Sequence, residues 1–560
     1  MRDEKPCDII KHMNTIKKND IYTVGIDGYS SEALGVCHVD GRAVFVPRAI
    51  PGEEWEIRIV KATNTAVYAR GEKLLKSSPA REQSACPYYG RCGGCDTWHM
   101  SYEEELRFKL DKVNAALRHI GKQELQAEEI LGSGSMLRYR NKGVFAVSDT
   151  GGGPAFGFFR ERSHELIPIE DCLIQSELSV RAARAVTAFM RGHGIPAYDE
   201  LSGKGVVRHV FCRQAVHGQD AVVCVVAARG FGTWTQSLVD ALRASCPELT
   251  GIVLNINKTK GNTVLGGEFH TLWGRATMRD TLCGLRFEIA PQAFFQINPP
   301  QAEKLYRRAA EFAAAGKDDL VFDLYCGAGT ITLAAASHCA HAIGIEIVPD
   351  AVENARQNAE RNQIRNASFH SGPAEELLPR MVKEGLRCDA VLVDPPRKGL
   401  EPPVIRAISE AGPSRVVYVS CNVATQARDA ALFREAGYQA VRVQPVDMFC
   451  WTSGIETVCL LSKLKSTYYI DVDLDLSELD VTQAEAKATY DEIKAYVFEH
   501  TGLQVSNLYI AQVKAKHGII ERNCYNKPKT EGNKVPKCPP DKEKAIENAL
   551  RHFQMIKKEA

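Results

Sequence analysis

Leu320-Val321-Phe322-Asp323-Leu324-Tyr325-Cys326-Gly327-Ala328-Gly329-Thr330-Ile331-Thr332-Leu333 is the stretch that decides the fold. Its first five residues read as an apolar strand, and a helix opens near Thr330. Between them the glycines permit a tight turn and the close approach of a ligand. Downstream, strands and helices alternate to about Leu464, the mark of an α/β sheet. Gly344-Ile345-Glu346 ends the next strand with a carboxylate placed to accept hydrogen bonds from ribose hydroxyls. The turn reads G-x-G-T and lacks the third glycine of the pyrophosphate fingerprint. A cofactor with a ribose and no phosphate does not need that glycine, and S-adenosylmethionine fits.

The third strand, Asp389-Ala390-Val391-Leu392-Val393, runs into Asp394-Pro395-Pro396-Arg397. Two prolines fix a rigid exit and present the Asp394 carboxylate over the methyl-donor region. Arg397 stands where enzymes that methylate amino nitrogens often carry a base-stacking aromatic residue, which disfavours nitrogen as the acceptor. The fourth strand, Val416 to Val419, ends in Ser420-Cys421-Asn422. Strand C-termini are where ligands and catalytic groups collect in such sheets, so a thiol there points to covalent catalysis. Carbon 5 of uracil is a poor nucleophile that needs this help. A thiolate adds at carbon 6, the methyl group goes to carbon 5, and a carboxylate then removes the carbon-5 proton. Cys421 is the expected nucleophile and Glu456, at the start of the last apolar strand, the expected base. Cys388 and Cys450 have no activating turn or acid beside them.

At 560 residues the chain exceeds one core, and about three or four domains are expected. Its net charge of +1 neither demands nor excludes a nucleic acid. No apolar stretch reaches membrane-spanning length and no secretory core is present, so a cytoplasmic protein is expected. The 18 cysteines therefore read as thiols or ligands, not a disulfide framework. Cys37, Cys212, Cys224, Cys283 and Cys459 sit in apolar, strand-like contexts. Cys86, Cys92 and Cys95 crowd a glycine-rich loop, with Cys172 as a remote fourth. Zinc or an iron–sulfur cluster would each suit such a set. Arg138-Tyr139-Arg140-Asn141-Lys142, and Arg160, Arg162 and His164, are candidate phosphate contacts. In the tail, Tyr468 to Leu479 reads as a strand, and Thr482 to His500 and Ser506 to His517 as helices in a helix-turn-helix-like pair. A basic run with Lys527, Lys529, Lys534 and Lys537 follows. An RNA-contacting module is one expectation for this tail; a docked structural or protein-interaction appendage is the other.

The segment GVCHVDGRAVFVPRAIPGEEWEIRIVKA resembles the TRAM domain, a small RNA-binding β-barrel. FFQINPPQAEKLY, VFDLYCGAGTITL, GIEIVPDAVENARQNAERN, LVDPPRKGL, VVYVSCNVATQARD and IETVCLLSKL resemble the bacterial RNA uracil-5-methyltransferases, in the branch acting on 23S ribosomal RNA. The resemblance implies that Gln296, Tyr325, Glu346 and Asp394 bind S-adenosylmethionine. It implies Cys421 as nucleophile, Glu456 as proton acceptor, and a [4Fe-4S] cluster on Cys86, Cys92, Cys95 and Cys172. The family often has His and Pro in the loop that reads here Asp447-Met448-Phe449-Cys450-Trp451-Thr452-Ser453. The expected architecture is a multidomain α/β protein. It has a TRAM/OB-like β-barrel at 15–75, a central α+β domain with the iron–sulfur loop at 76–284, a Rossmann-like methyltransferase domain at 285–465 and an α/β extension at 466–560. The expected function is 5-methyluridine formation in 23S rRNA by a class I, monomeric enzyme. The alternatives are a tRNA uridine-54 C5-methyltransferase or a non-catalytic RNA-binding protein on the same fold.

Overall fold

Apolar runs between residues 320 and 420 become a parallel sheet because both of its faces are covered. Its strands lie in the order Ala367–Ser371, His341–Glu346, Leu320–Leu324, Ala390–Val393 and Arg415–Ser420. Glu456–Lys463 then pairs antiparallel with the last of these, and Tyr438–Val446 closes the edge. Strands buried on two sides need no polar alternation, which explains sequences such as Ala-Val-Leu-Val at 390–393. In this computed structural model, residues 16–464 (except 262, 314 and 315), 490–517, 538–553, 555 and 556 are described.

One face packs against the helices Pro299–Ala313 and Thr330–Ala336, with Leu305, Ala309 and Leu333 in the core. The opposite face receives Leu377, Ile405 and Phe433 from three later helices, and also Val113, Ala116 and Leu117. Those three come from a helix far upstream, Tyr102–His119, whose N-cap Ser101 hydroxyl accepts from the Glu104 N–H. Glu103, Glu104 and Glu105 fill its first turn and complement the helix dipole.

Upstream, six strands between Ile21 and Lys76 form a mostly antiparallel sheet around Val44, Val46, Ile57 and Ile59. A seven-stranded sheet follows between Lys142 and Gly274, covered by helices Glu177–Gly192 and Thr235–Ser245. Cys37, Cys212, Cys224 and Cys459 are buried in strands. Cys283 is not: it sits in the turn of the hairpin Met278–Leu282/Leu285–Ile289 with φ +52°.

Residues 466–560 form a separate unit. Its described part is three helices, Tyr490–Thr501, Asn507–Lys516 and Pro540–His552, sharing a core of Ile493, Val497, Ile510, Val513, Ile546 and Leu550. Gly502, at φ +67°, stops the first helix. The expected strand at 468–479 and the basic run at 527–537 lie outside the described residues. The third helix was missed in sequence, although Pro540 at its first position and Asp541 and Glu543 in its first turn signal it. No helix among the described residues is long and apolar enough to cross a membrane.

One buried charge group ties the upstream helix to the catalytic sheet. Lys109 Nζ, wholly buried, donates to Glu105 Oε1 at 2.5 Å, Asp447 Oδ1 at 2.7 Å and the Phe449 carbonyl at 3.1 Å. Lys109→Met strands two buried carboxylates without their cation. It should lower unfolding free energy by about 3–5 kcal/mol, read as a drop in the urea midpoint at unchanged slope.

Candidate active site

The sequence places its chemistry at the C-terminal edge of the parallel sheet. Tyr325 leaves strand Leu320–Leu324 at φ +68°, a conformation costly for a residue with a side chain and concentrated at functional sites. Gly327 and Gly329 follow at φ +54° and +80°. A Cβ on Gly329 would meet the Phe369 ring at 2.9 Å, so only glycine fits. At the next strand end Glu346 accepts from the Gly327 N–H at 3.1 Å and the Val348 N–H at 3.0 Å. The acid and the turn are thus one rigid unit.

Asp394 follows strand Ala390–Val393, and Cys421 follows Arg415–Ser420. Asn422 caps the next helix through its side-chain oxygen and donates to the Arg397 carbonyl at 3.0 Å, joining the Pro-Pro exit to the cysteine turn. The antiparallel ladder sets Ser420 opposite Thr457. Cys421 and Glu456 therefore emerge side by side. Gln296 is buried, with its carbonyl held by Asn141 Nδ2 at 3.0 Å. All six residues, Gln296, Tyr325, Glu346, Asp394, Cys421 and Glu456, line one cavity of about 780 Å³.

Burial dominates the electrostatics. It pushes Asp394 up to about 7 and raises Glu456 well above the carboxylate range. The Asp394 charge raises Glu456 further, and Arg397 opposes this. Burial also raises the Cys421 thiol, as does Glu456, while Arg397 lowers it by charge and hydrogen bonding. Arg397 is therefore the local countercharge for both groups, a part that its place in the Pro-Pro motif did not suggest. Asp323 was missed as well. It lines the cavity, its Oδ1 is buried without a partner, and burial pushes it up to about 7. An acid at the penultimate position of an apolar strand was the available signal. The cavity and the unpaired Asp323 oxygen suit a ligand with a ribose at Glu346 and an ammonium group near Asp323.

The basic stretches divide. Arg140 and Lys142 line the cavity, and burial and neighbouring Arg213 and Arg140 lower Lys142 to about 8. Asn141 is buried behind Gln296. Arg138 is not a free cation: Asp171 holds it at 2.7 and 2.9 Å, and it also donates to the Cys172 and Gln175 carbonyls. Arg160 pairs with Glu165 at 2.8 Å, Arg162 lies 3.2 Å from Glu161, and exposed His164 lies 3.8 Å from Glu200. Salt bridges, invisible to a count of positive residues, occupy these side chains.

Cys86, Cys92, Cys95 and Cys172 line a second cavity of about 240 Å³. Among the described residues no group of three or more His, Cys, Asp or Glu is arranged to hold a metal ion. The four thiols nevertheless share one space, and Cys95 is raised by burial and then by each of the other three. The buried Trp98 indole N–H acts on Cys95 to favour its thiolate.

Residues 281–464 match the family model described as tRNA (Uracil-5-)-methyltransferase. An uncharacterized RNA methyltransferase of Halalkalibacterium halodurans is 37% identical over 452 residues, 80% of this chain and 99% of that protein. One from Caldanaerobacter subterraneus subsp. tengcongensis is 39% identical over 452 residues, 81% of this chain and all of its own. Among solved structures, the Pyrococcus abyssi tRNA (uracil-54, C5)-methyltransferase in complex with S-adenosyl-L-homocysteine is 25% identical, with a TM-score of 0.64. That likeness covers 79% of this chain and 100% of the other. With near-complete coverage of relatives above 30% identity, and a glycine turn, strand-end acids and a strand-end thiol gathered on one cavity, the chain belongs to the RNA uracil-5-methyltransferases, enzymes that use S-adenosylmethionine.

Proposed function

We propose that this enzyme methylates carbon 5 of a uridine in 23S ribosomal RNA through a transient bond between Cys421 and carbon 6. The observation that carries the reading is the pairing of Cys421 with Glu456 across the Ser420–Thr457 register, on the wall of the cavity that begins at the glycine turn. When bound, S-adenosylmethionine supplies an electrophilic methyl group, and Gln296, Tyr325, Glu346 and Asp394 would hold it. Cys421, as thiolate beside Arg397, adds to carbon 6 and moves the ring's electron pair to carbon 5, which takes the methyl group. Glu456 then accepts the carbon-5 proton; the C–H electrons re-form the double bond and expel the thiolate. The balance is one methyl group gained and one proton released. A uracil within folded RNA must be extruded into the cavity first, which is cheapest in single-stranded loops.

Choice of the ribosomal RNA branch rests on the matched strings, the N-terminal sheet read as a TRAM barrel over 15–75 and the four cysteines read as [4Fe-4S] ligands. Four thiols around one cavity, with the Trp98 N–H favouring the Cys95 thiolate, support that last reading. The methyl transfer moves no net electrons, so the cluster is structural in this reading. The domains run 76–284 and 285–465 after the barrel, 466–560 is an accessory module, and the enzyme acts as a cytoplasmic monomer. A specific observation favours transfer RNA as the second reading. The solved tRNA enzyme matches 79% of this chain, far more than the catalytic sheet alone, so an N-terminal extension does not argue against a tRNA substrate. Mapping 5-methyluridine in rRNA and tRNA from a deletion strain separates them. Loss of one 23S site is expected; loss confined to tRNA would move the assignment.

A further inference from the structure

The loop Asp447–Ser453 precedes the base directly, and Phe449 within it lines the catalytic cavity. Val446 and Glu456 face each other as the last pair of their ladder, the place where a hairpin frays. The Glu456 carboxylate makes no hydrogen bond among the described residues, so beyond its burial and the charges of Asp394 and Arg397 its aim depends on the backbone that carries it. That backbone is gripped from two sides. Helix Tyr102–His119 supplies the Glu105 carboxylate, which accepts from the Trp451 N–H at 2.8 and 3.0 Å, and Lys112, which donates to the Ser453 carbonyl at 2.7 Å. The cysteine-bearing loop supplies the other jaw. Asp96 and Thr97 N–H groups donate to the Trp451 carbonyl at 2.9 and 3.3 Å, and Asp96 Oδ2 accepts from the Ser453 N–H at 2.8 Å.

Trp451 is the piece both jaws hold. Its indole stacks on Trp98 with centroids 4.2 Å apart and planes 12° apart, and its Nε1 donates to the Met136 carbonyl at 3.0 Å. Its backbone sits at φ +66°, a strained setting for a bulky residue that persists because its surroundings over-determine it. So dense a grip on a loop that ends at the base is best explained by the demands of the base.

We propose that Trp451 is a positioning residue, clamped between helix Tyr102–His119 and the cysteine-bearing loop, that aims Glu456 at the carbon-5 proton of the methylated uracil adduct. The inference rests on Glu456 being the base. It assigns the Trp–Trp stack to the last chemical step, proton removal, and not to RNA binding or methyl transfer.

The test uses the full chain, S-adenosylmethionine and a transcript, labelled with tritium at uridine carbon 5, of the RNA that the native protein methylates. Trp451→Ala should release tritium on the order of 10–100-fold more slowly, the scale of a misplacement near 1 Å. Methyl transfer into the protein–RNA adduct should stay within about twofold, so that a denaturation-resistant adduct accumulates. Trp451→Phe, which keeps a stacking ring, should restore most of the release. Asp96→Ala removes one exposed clamp and should shift the same ratio in the same direction, which decides the matter if Trp451→Ala fails to fold. Methyl transfer and tritium release falling together, or neither changing, would overturn the proposal. If Glu456→Gln accumulates adduct while the Trp451 and Asp96 variants do not, the clamp fails and the base assignment stands. If Glu456→Gln accumulates none, the base assignment itself fails.

Discussion

Cys421→Ala loses methyl transfer by a factor on the order of 10⁴ or more and keeps S-adenosylmethionine affinity within about twofold. The thiol is half-buried just past strand Arg415–Ser420, at a different strand end from the glycine turn, so its removal leaves the cofactor's contacts in place. Carbon 5 has no other route to nucleophilic character: the second thiol on that cavity, Cys326 in the glycine turn, is buried and held in its protonated form by that burial and by the charges of Asp323 and Glu346. A pH profile carries the sign of the mechanism. Burial and Glu456 raise the thiol, and burial and Asp394 raise Glu456, so both groups favour their protonated, inactive forms in the free site. Single-turnover rate should therefore climb with pH as each loses its proton, and should not level off below the ordinary thiol range, because the Cys421 thiol is raised above it. Undiminished transfer by Cys421→Ala, measured as methyl label entering RNA, would defeat covalent catalysis by this residue.

The parallel sheet was readable because its strands are short apolar runs separated by turn chemistry that only a few residues can supply. Gly327 and Gly329 at positive φ, the carboxylate ending His341–Glu346 and the Pro-Pro after Asp394 are local signals, each fixed within a few residues of sequence. Nothing local announces what the antiparallel edge does. Thr457 opposite Ser420 is a register between strands joined by a long excursion, and that register is what brings Glu456 to Cys421. Helix Tyr102–His119 was equally opaque. Its apolar stripe shows that it packs, but its destination, the outer face of a sheet more than two hundred residues later, is decided by tertiary fit. Counting positive charges overstated the RNA contacts for the same reason, since Arg138 is held by Asp171 from another strand end.

Glu456→Gln should stall the enzyme after methyl transfer. Glutamine keeps the shape of the side chain and is neutral, as burial and Asp394 already favour for Glu456 in the free site, so the fold should lose little. Addition by Cys421 and methyl capture need no base at this position and should proceed. Proton removal from carbon 5 should slow by about 10²–10⁴, the usual reach of a positioned general base. The methylated uracil then stays bonded to Cys421, visible on a denaturing gel as a protein–RNA band carrying methyl label. A base elsewhere gives the opposite result: free methylated RNA at the native rate and no band. Asp394 lines the same cavity and is the carboxylate whose charge acts on Glu456, and Asp394→Asn separates the two positions. In a cofactor-holding role its loss should raise the KM for S-adenosylmethionine and leave no adduct, because the block falls before methyl transfer and not after it. Adduct with one substitution and weakened cofactor binding with the other is the pattern that two neighbouring acids with different work must give.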